Sequence, residues 1–182
     1  MISNIYNTIV AGPGGRAELP ENLDRDIRHL LEKAAGSREE TRIFFRADDI
    51  GPPSGNFTRM MDLFKRYRVP LCLAVVPAWL TRPRWEAMSR YLDEKDLFCW
   101  HMHGYRHKNY ESKGKKQEFG PARERRLLET DLSRGMSRLK SIMEASFFPV
   151  FTPPWNRCSA PAMAAMKDLG FKAVSRSYSA DP

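Results

Sequence analysis

Two hydrophobic periods take turns along the chain. Short apolar runs end in polar residues or proline, and between them apolar positions recur every three or four residues. RIFFRADD (residues 42–49) predicts a first strand that closes on two carboxylates. PLCLAVVP (70–77), LFCWHMHG (97–104), FPVFTPPWN (148–156) and FKAVSRS (171–177) predict four more. Helical spacing runs through Met60, Met61, Leu63, Phe64 and Tyr67 in the segment 59–68. It returns over 83–94, over 121–145 with a proline near its start, and over 160–170, where Gly170 closes it. A further helix over 20–35 precedes the first strand. Strands alternating with helices predict βα units around a parallel sheet. The expected organisation is one α/β domain over residues 1–182, with 1–20 as an extended N-terminal segment.

The polar residues that interrupt this pattern gather at strand ends. Asp48 and Asp49 end the first strand, His103 and His107 the third, and Pro153, Pro154, Trp155 and Asn156 the fourth. Parallel strands in βα folds share one C-terminal rim, where sites form. Side chains alternate along a strand, so His101 and His103 share a face. Gly104 breaks the strand, and a helical first turn over GYRH would swing His107 back towards His103. Two imidazoles and one carboxylate form a common set for a divalent metal with open positions. Asp49 is the natural carboxylate.

Composition narrows the class. Hydrophobic residues make up 42% and charged residues 29% of 182, which predicts a globular chain with a core. No apolar stretch approaches the length of a membrane span. The N-terminus MISNIYNTIVAGPGG has neither a basic start nor a long apolar run, which predicts a cytoplasmic protein. Cys72, Cys99 and Cys158 are far apart and odd in number, as expected of reduced thiols, with Cys158 structural. The net charge of +8 is scattered, and its densest run is KGKK at 113–116. It predicts a solvated basic face, not a specific nucleic-acid site. The long polar loop 108–120 behind the histidines is expected to act as a mobile lid or a substrate loop.

The segments FRADDIG, HGYRH and FTPPWN together resemble the motifs of polysaccharide-deacetylase-like proteins of the NodB-homology type. They look most like a subgroup with Asp-Asp-Ile-Gly, His-Gly-x-x-His and Pro-Pro-Trp-Asn motifs, which QEFG also fits. The resemblance runs from about Arg42 to Ser177. It implies an irregular (β/α) barrel, usually of seven strands, of which this chain carries about five and is incomplete at the C-terminus. It implies removal of acetyl groups from N-acetylated sugars with a divalent metal, zinc first and cobalt, nickel or manganese as alternatives. Carried over by position, Asp48 is the general base and Asp49, His103 and His107 are the metal ligands. Trp155, Asn156, Pro154 and Tyr105 fall where substrate binds.

Two departures stand out. Where the resemblance implies an arginine that orients the base, this chain has Phe151, Thr152, Pro153 and Pro154. Asn156, Arg46 or Arg157 could take that role, and His101 and Arg46 are candidates to support the site from behind. The resemblance also implies a later histidine as general acid, yet no histidine follows His107. A carbohydrate-binding protein that has lost the acid is the alternative reading. The open sheet edge is expected to pair with a second copy or with further strands of a longer protein.

Overall fold

The computed structural model describes residues 22–36, 43–94 and 96–177. The expected segment 1–20 and the first residue of the expected first strand, Arg42, lie outside them. The chain divides into two compact units, Met1–Ile43 and Phe44–Pro182. In the first, helix α1 (Leu23–Ala35) carries Asp24 and Asp26 in its first turn and Lys33 in its last, the charges that a helix dipole favours at those ends.

The second unit is an α/β sheet of five parallel strands in chain order, matching the expected part-barrel. The strands are β1 (Phe45–Ile50), β2 (Leu71–Val75), β3 (Phe98–His103), β4 (Phe147–Thr152) and β5 (Ala173–Val174). Between them run α2 (Gly55–Tyr67), α3 (Arg82–Met88), α4 (Arg125–Met143) and α5 (Ala160–Asp168). Capping residues set helix starts. Ser54 Oγ accepts the Phe57 N–H at 3.2 Å, and Thr81 Oγ1 accepts that of Arg84 at 3.4 Å.

Several elements are shorter than the periodicity predicts. β4 stops at Thr152 because Pro153 and Pro154 offer no N–H, and Trp155 turns left-handed. The expected strand over 171–177 reduces to Ala173–Val174. The expected helix over 83–94 breaks after Met88 into a tighter turn, Ser89–Tyr91. The register of β3 on β4 shifts between Trp100 and Met102, and Pro149 sits in the resulting bulge, where a missing donor is tolerated.

The two sheet faces differ. One faces the helices and is apolar: Leu73, Trp100, Met102 and Phe151 are fully buried. Trp100 meets Trp85 of α3 edge-on at 5.1 Å and lies 6.3 Å from Phe57 of α2. Gly135 lets α4 approach; a Cβ there would come within 3.1 Å of the Met102 sulfur. Along the opposite face Arg46, Cys72 and Cys99 are partners in register, as are Ala74 and His101. This polar face leads up to the C-terminal rim. Among the described residues no helix is long and apolar enough to cross a membrane.

Leu132 of α4 is wholly buried in the helix-facing core. Leu132→Ala is expected to cost about 2–5 kcal/mol of stability. Urea unfolding should show a lower midpoint with an unchanged slope.

Candidate functional site

An ordinary strand would send Asp48 and Asp49 to opposite faces. β1 avoids this with a register shift between Ala47 and Ile50 and a left-handed Asp49, φ 61°. Both carboxylates therefore reach the rim. Asp49 Oδ1 stands 3.4 Å from His103 Nε2 and 3.2 Å from His107 Nε2. Among the described residues these three form a group whose ligand atoms lie within 4.8 Å of one another. Ligand atoms about 2.1 Å from a shared ion stand about 3.0 Å apart at right angles and about 3.4 Å apart at tetrahedral angles. The two separations from Asp49 fit that range, and the donor set suits a divalent transition metal.

The histidines are set from behind. His103 Nδ1 lies 3.0 Å from the Thr152 carbonyl, which can only accept, so Nδ1 carries a proton and Nε2 faces Asp49. The same carbonyl takes the Gly104 N–H at 3.1 Å. His101, the candidate support, is buried, and its Nε2 lies 2.8 Å from Thr152 Oγ1. β3 and β4 are thus locked together beneath the triad.

His107 reaches the site differently from expectation. GYRH forms no helical turn; the chain bends at Tyr105 and Arg106 between left-handed Gly104 (φ 57°) and His107 (φ 55°). The backbone N–H groups of Tyr105, Arg106 and His107 all donate to the buried carboxylate of Glu118, at 3.1, 2.6 and 3.1 Å. Gly104 needs its missing side chain, because a Cβ would also press to within 2.5 Å of Pro154 Cγ. Glu118 lies in the QEFG segment, but helical or strand periodicity gives it no role; its partners lie up to 13 residues away.

The loop expected as a lid or substrate loop is tethered at both ends of its neck. Asn109 Oδ1 accepts the Gln117 N–H at 2.9 Å, and Tyr110 N–H donates to the Gln117 carbonyl. Phe119 bridges to Cys158, and both are buried. Residues 108–109 and the tip, 112–116, are exposed.

Two indoles flank His107: Trp155 at 4.5 Å and Trp79 at 5.8 Å between ring centroids. Trp79, from the turn after β2, reads from sequence as a lesser candidate for stacking, and the fold brings it beside the triad. Trp155 and Asn156 are half-buried and left-handed. Pro154, expected in the substrate set, is buried against Gly104. Tyr105 is half-buried against the core, with the Arg106 guanidinium over its ring.

Asp48 meets Arg46, two residues earlier in β1, through both carboxylate oxygens: Nε to Oδ1 at 2.7 Å and Nη2 to Oδ2 at 2.9 Å. Electrostatics distinguish the other groups. A hydrogen bond from His103 holds the Asp49 carboxyl below the usual carboxylate range, against partial burial and with help from His107. Burial pushes His107 below the usual imidazole range, opposed by Asp49. Burial lowers His101 to about 4. Burial pushes Glu118 up, while its three backbone donors pull the other way.

A sequence model of the polysaccharide deacetylase family matches residues 36–174. Solved structures share the fold. IcaB from Ammonifex degensii is 18% identical with a TM-score of 0.62, over 90% of this chain and 78% of that one. A family 4 carbohydrate esterase from Streptomyces lividans, in complex with acetate, is 14% identical at 0.54, over 73% of this chain. A family 4 acetyl xylan esterase from Clostridium thermocellum, in complex with a cobalt ion, is 12% identical at 0.52, over 68% of this chain and 54% of that one. The chain spans 61% of the length of the Streptomyces lividans esterase. A search among curated proteins found no match.

Glu118→Ala leaves three part-buried N–H groups without their acceptor and frees His107 from its place. Zinc affinity, measured against a competing chelator, is expected to fall by about 10–100-fold. His101 predicts a pH effect. Its folded pKa of about 4 lies below the ordinary 6.5, so its contribution to stability is present above 6.5 and lost as pH falls towards 4. The loss amounts to about 3 kcal/mol. Urea unfolding between pH 7 and 4 should show that slope, flattened in His101→Gln.

Proposed function

This chain belongs to the polysaccharide deacetylase family, and we propose that it is a metal-dependent hydrolase that removes acetyl groups from N-acetylated sugars. The observation that carries the reading is the grouping of Asp49, His103 and His107 on one rim, with a second carboxylate, Asp48, next to it. The Asp-Asp-Ile-Gly, His-Gly-x-x-His and Pro-Pro-Trp-Asn segments support the narrower subgroup.

Asp49 Oδ1, His103 Nε2 and His107 Nε2 would hold the cation, zinc first and cobalt, nickel or manganese as alternatives. Such a cation supplies Lewis acidity, which polarises the amide carbonyl and lowers the pKa of water. The protein's own groups do the rest. Asp48 accepts the proton of the attacking water as its oxygen bonds to the amide carbon. The carbon–nitrogen bond then breaks, acetate leaves, and the sugar amine takes a proton. No rim histidine is free to give it, since His101 is buried on Thr152. Asp48, carrying the water's proton, is the group placed to return it. Trp155 and Trp79 form apolar walls beside His107 for a sugar ring, and Tyr105 lies on the loop between the two histidines. The buried state of His101 also favours a second reading: a carbohydrate-binding protein that keeps the rim and lacks turnover.

Acetate release from an N-acetylglucosamine oligomer by the zinc-loaded chain distinguishes the two readings. In the hydrolase, Asp48→Asn should leave zinc affinity nearly intact and cut turnover by about 10²–10⁴. Asp49→Asn should weaken zinc binding itself. Equal loss of zinc in both variants would contradict the division of roles.

A further inference from the structure

The geometry assigns Arg46 as the positioning residue that holds Asp48 for proton transfer, a role that rests on reading Asp48 as the base. Arg46 spends all five of its N–H donors. Nε and one Nη2 hydrogen take the two oxygens of Asp48 at 2.7 and 2.9 Å. The other Nη2 hydrogen takes Asn156 Oδ1 at 2.5 Å. Nη1 takes Ser175 Oγ at 2.7 Å and the Ser175 carbonyl at 3.3 Å.

Each contact constrains the base. A bidentate guanidinium fixes the plane of the carboxylate as well as its distance. Asn156 and Ser175 then fix the guanidinium, so it cannot swing with Asp48. Each Asp48 oxygen keeps a second lone pair for water. The Arg46 side chain is 15% exposed and that of Asp48 33%, so the pair is shielded behind and open at the rim. Ser175 lies just past β5, so Arg46 joins the first strand to the segment after the last across the polar face.

The three candidates from sequence now separate. Asn156 offers its oxygen to Arg46 and acts through it. Arg157, among the described residues, makes no bond to Asp48. Arg46 takes the place of an arginine in the segment after β4, where this chain has Pro153 and Pro154.

The test uses the zinc-loaded chain and an N-acetylglucosamine pentamer. Arg46→Met should lower kcat by about 10²-fold, the effect of misplacing a reacting group by about an ångström. KM should stay within about threefold, and zinc affinity should be unchanged. Arg46→Lys should not restore kcat, because one ammonium cannot reproduce the fork. Millimolar guanidinium should restore kcat of Arg46→Ala by at least about tenfold. Should Arg46→Met fail to fold, Asn156→Ala removes one anchor of the guanidinium, with a smaller loss of kcat expected at unchanged zinc affinity. A fall in kcat matched by equal loss of zinc, or an absence of guanidinium rescue, overturns the proposal. If the wild-type chain releases no acetate, the hydrolase reading fails, and crystal structures of wild type and Arg46→Met decide the positioning role. It stands if the Asp48 carboxylate shifts while Asp49, His103 and His107 keep their places, and falls if Asp48 does not move.

Discussion

Three backbone N–H groups, those of Tyr105, Arg106 and His107, converge on one buried carboxylate. A chain that leaves a strand through a left-handed glycine and at once turns back loses its ladder partners. Buried donors without acceptors cost about 1–3 kcal/mol each. Glu118 satisfies all three and so makes the turn possible. The place of His107 beside Asp49 follows from that turn. Glu118 is itself held by the bridge of its neighbour Phe119 to Cys158 and by Arg123, which donates to the Glu118 carbonyl and pairs with Asp131 at 2.7 Å. The rim therefore depends on a carboxylate that need not touch metal or substrate.

Backbone strain is concentrated in the same region. Of six non-glycine residues with positive φ among those described, four are Asp49, His107, Trp155 and Asn156. Such conformations cost about 1–3 kcal/mol each and persist where the surroundings over-determine them. Each has an identifiable restraint. Asp49 sits in the β1 bulge and His107 on Glu118. Asn156 is gripped by Arg46 and by its own N–H to the Pro153 carbonyl, and Trp155 lies against His107. The fold bends its backbone where side chains must be re-aimed, and stays regular where helices pack on the sheet.

What could be read from the sequence was what depends on local pattern. Alternating apolar runs and helical spacing place five strands, and the rule that parallel strands share a rim brings Asp48, Asp49, His103 and His107 together. The Asp-Asp pair needed a bulge to work, which no periodicity announces. The helical turn expected at GYRH failed because the N–H acceptors come from Glu118, more than ten residues on, and not from the chain's own carbonyls. Trp79 joins the site only because the turn after β2 packs beside the His107 loop, with the Ala78 N–H bonded to the Tyr105 carbonyl. The last strand is shorter than expected: FKAVSRS looks like a strand by composition, while only two of its residues find pairing on β4.

Arg46 illustrates why a function can move along a sequence and keep its geometry. Residues two apart on a strand point the same way, so an arginine at 46 faces the carboxylate at 48 with little chain entropy to lose. A partner supplied from the segment after β4 must instead be brought across from a distant loop. In this chain that loop is committed to two prolines and a left-handed Trp-Asn turn, and it contributes an acceptor to the guanidinium instead of a guanidinium to the carboxylate. The polarity of the contact is reversed while the ring of partners stays closed. Because the same guanidinium also holds Ser175, the orientation of the carboxylate at one edge of the sheet and the position of the segment leaving the other edge are set by one side chain. Any rearrangement that draws Ser175 away from the polar face must therefore be felt at Asp48.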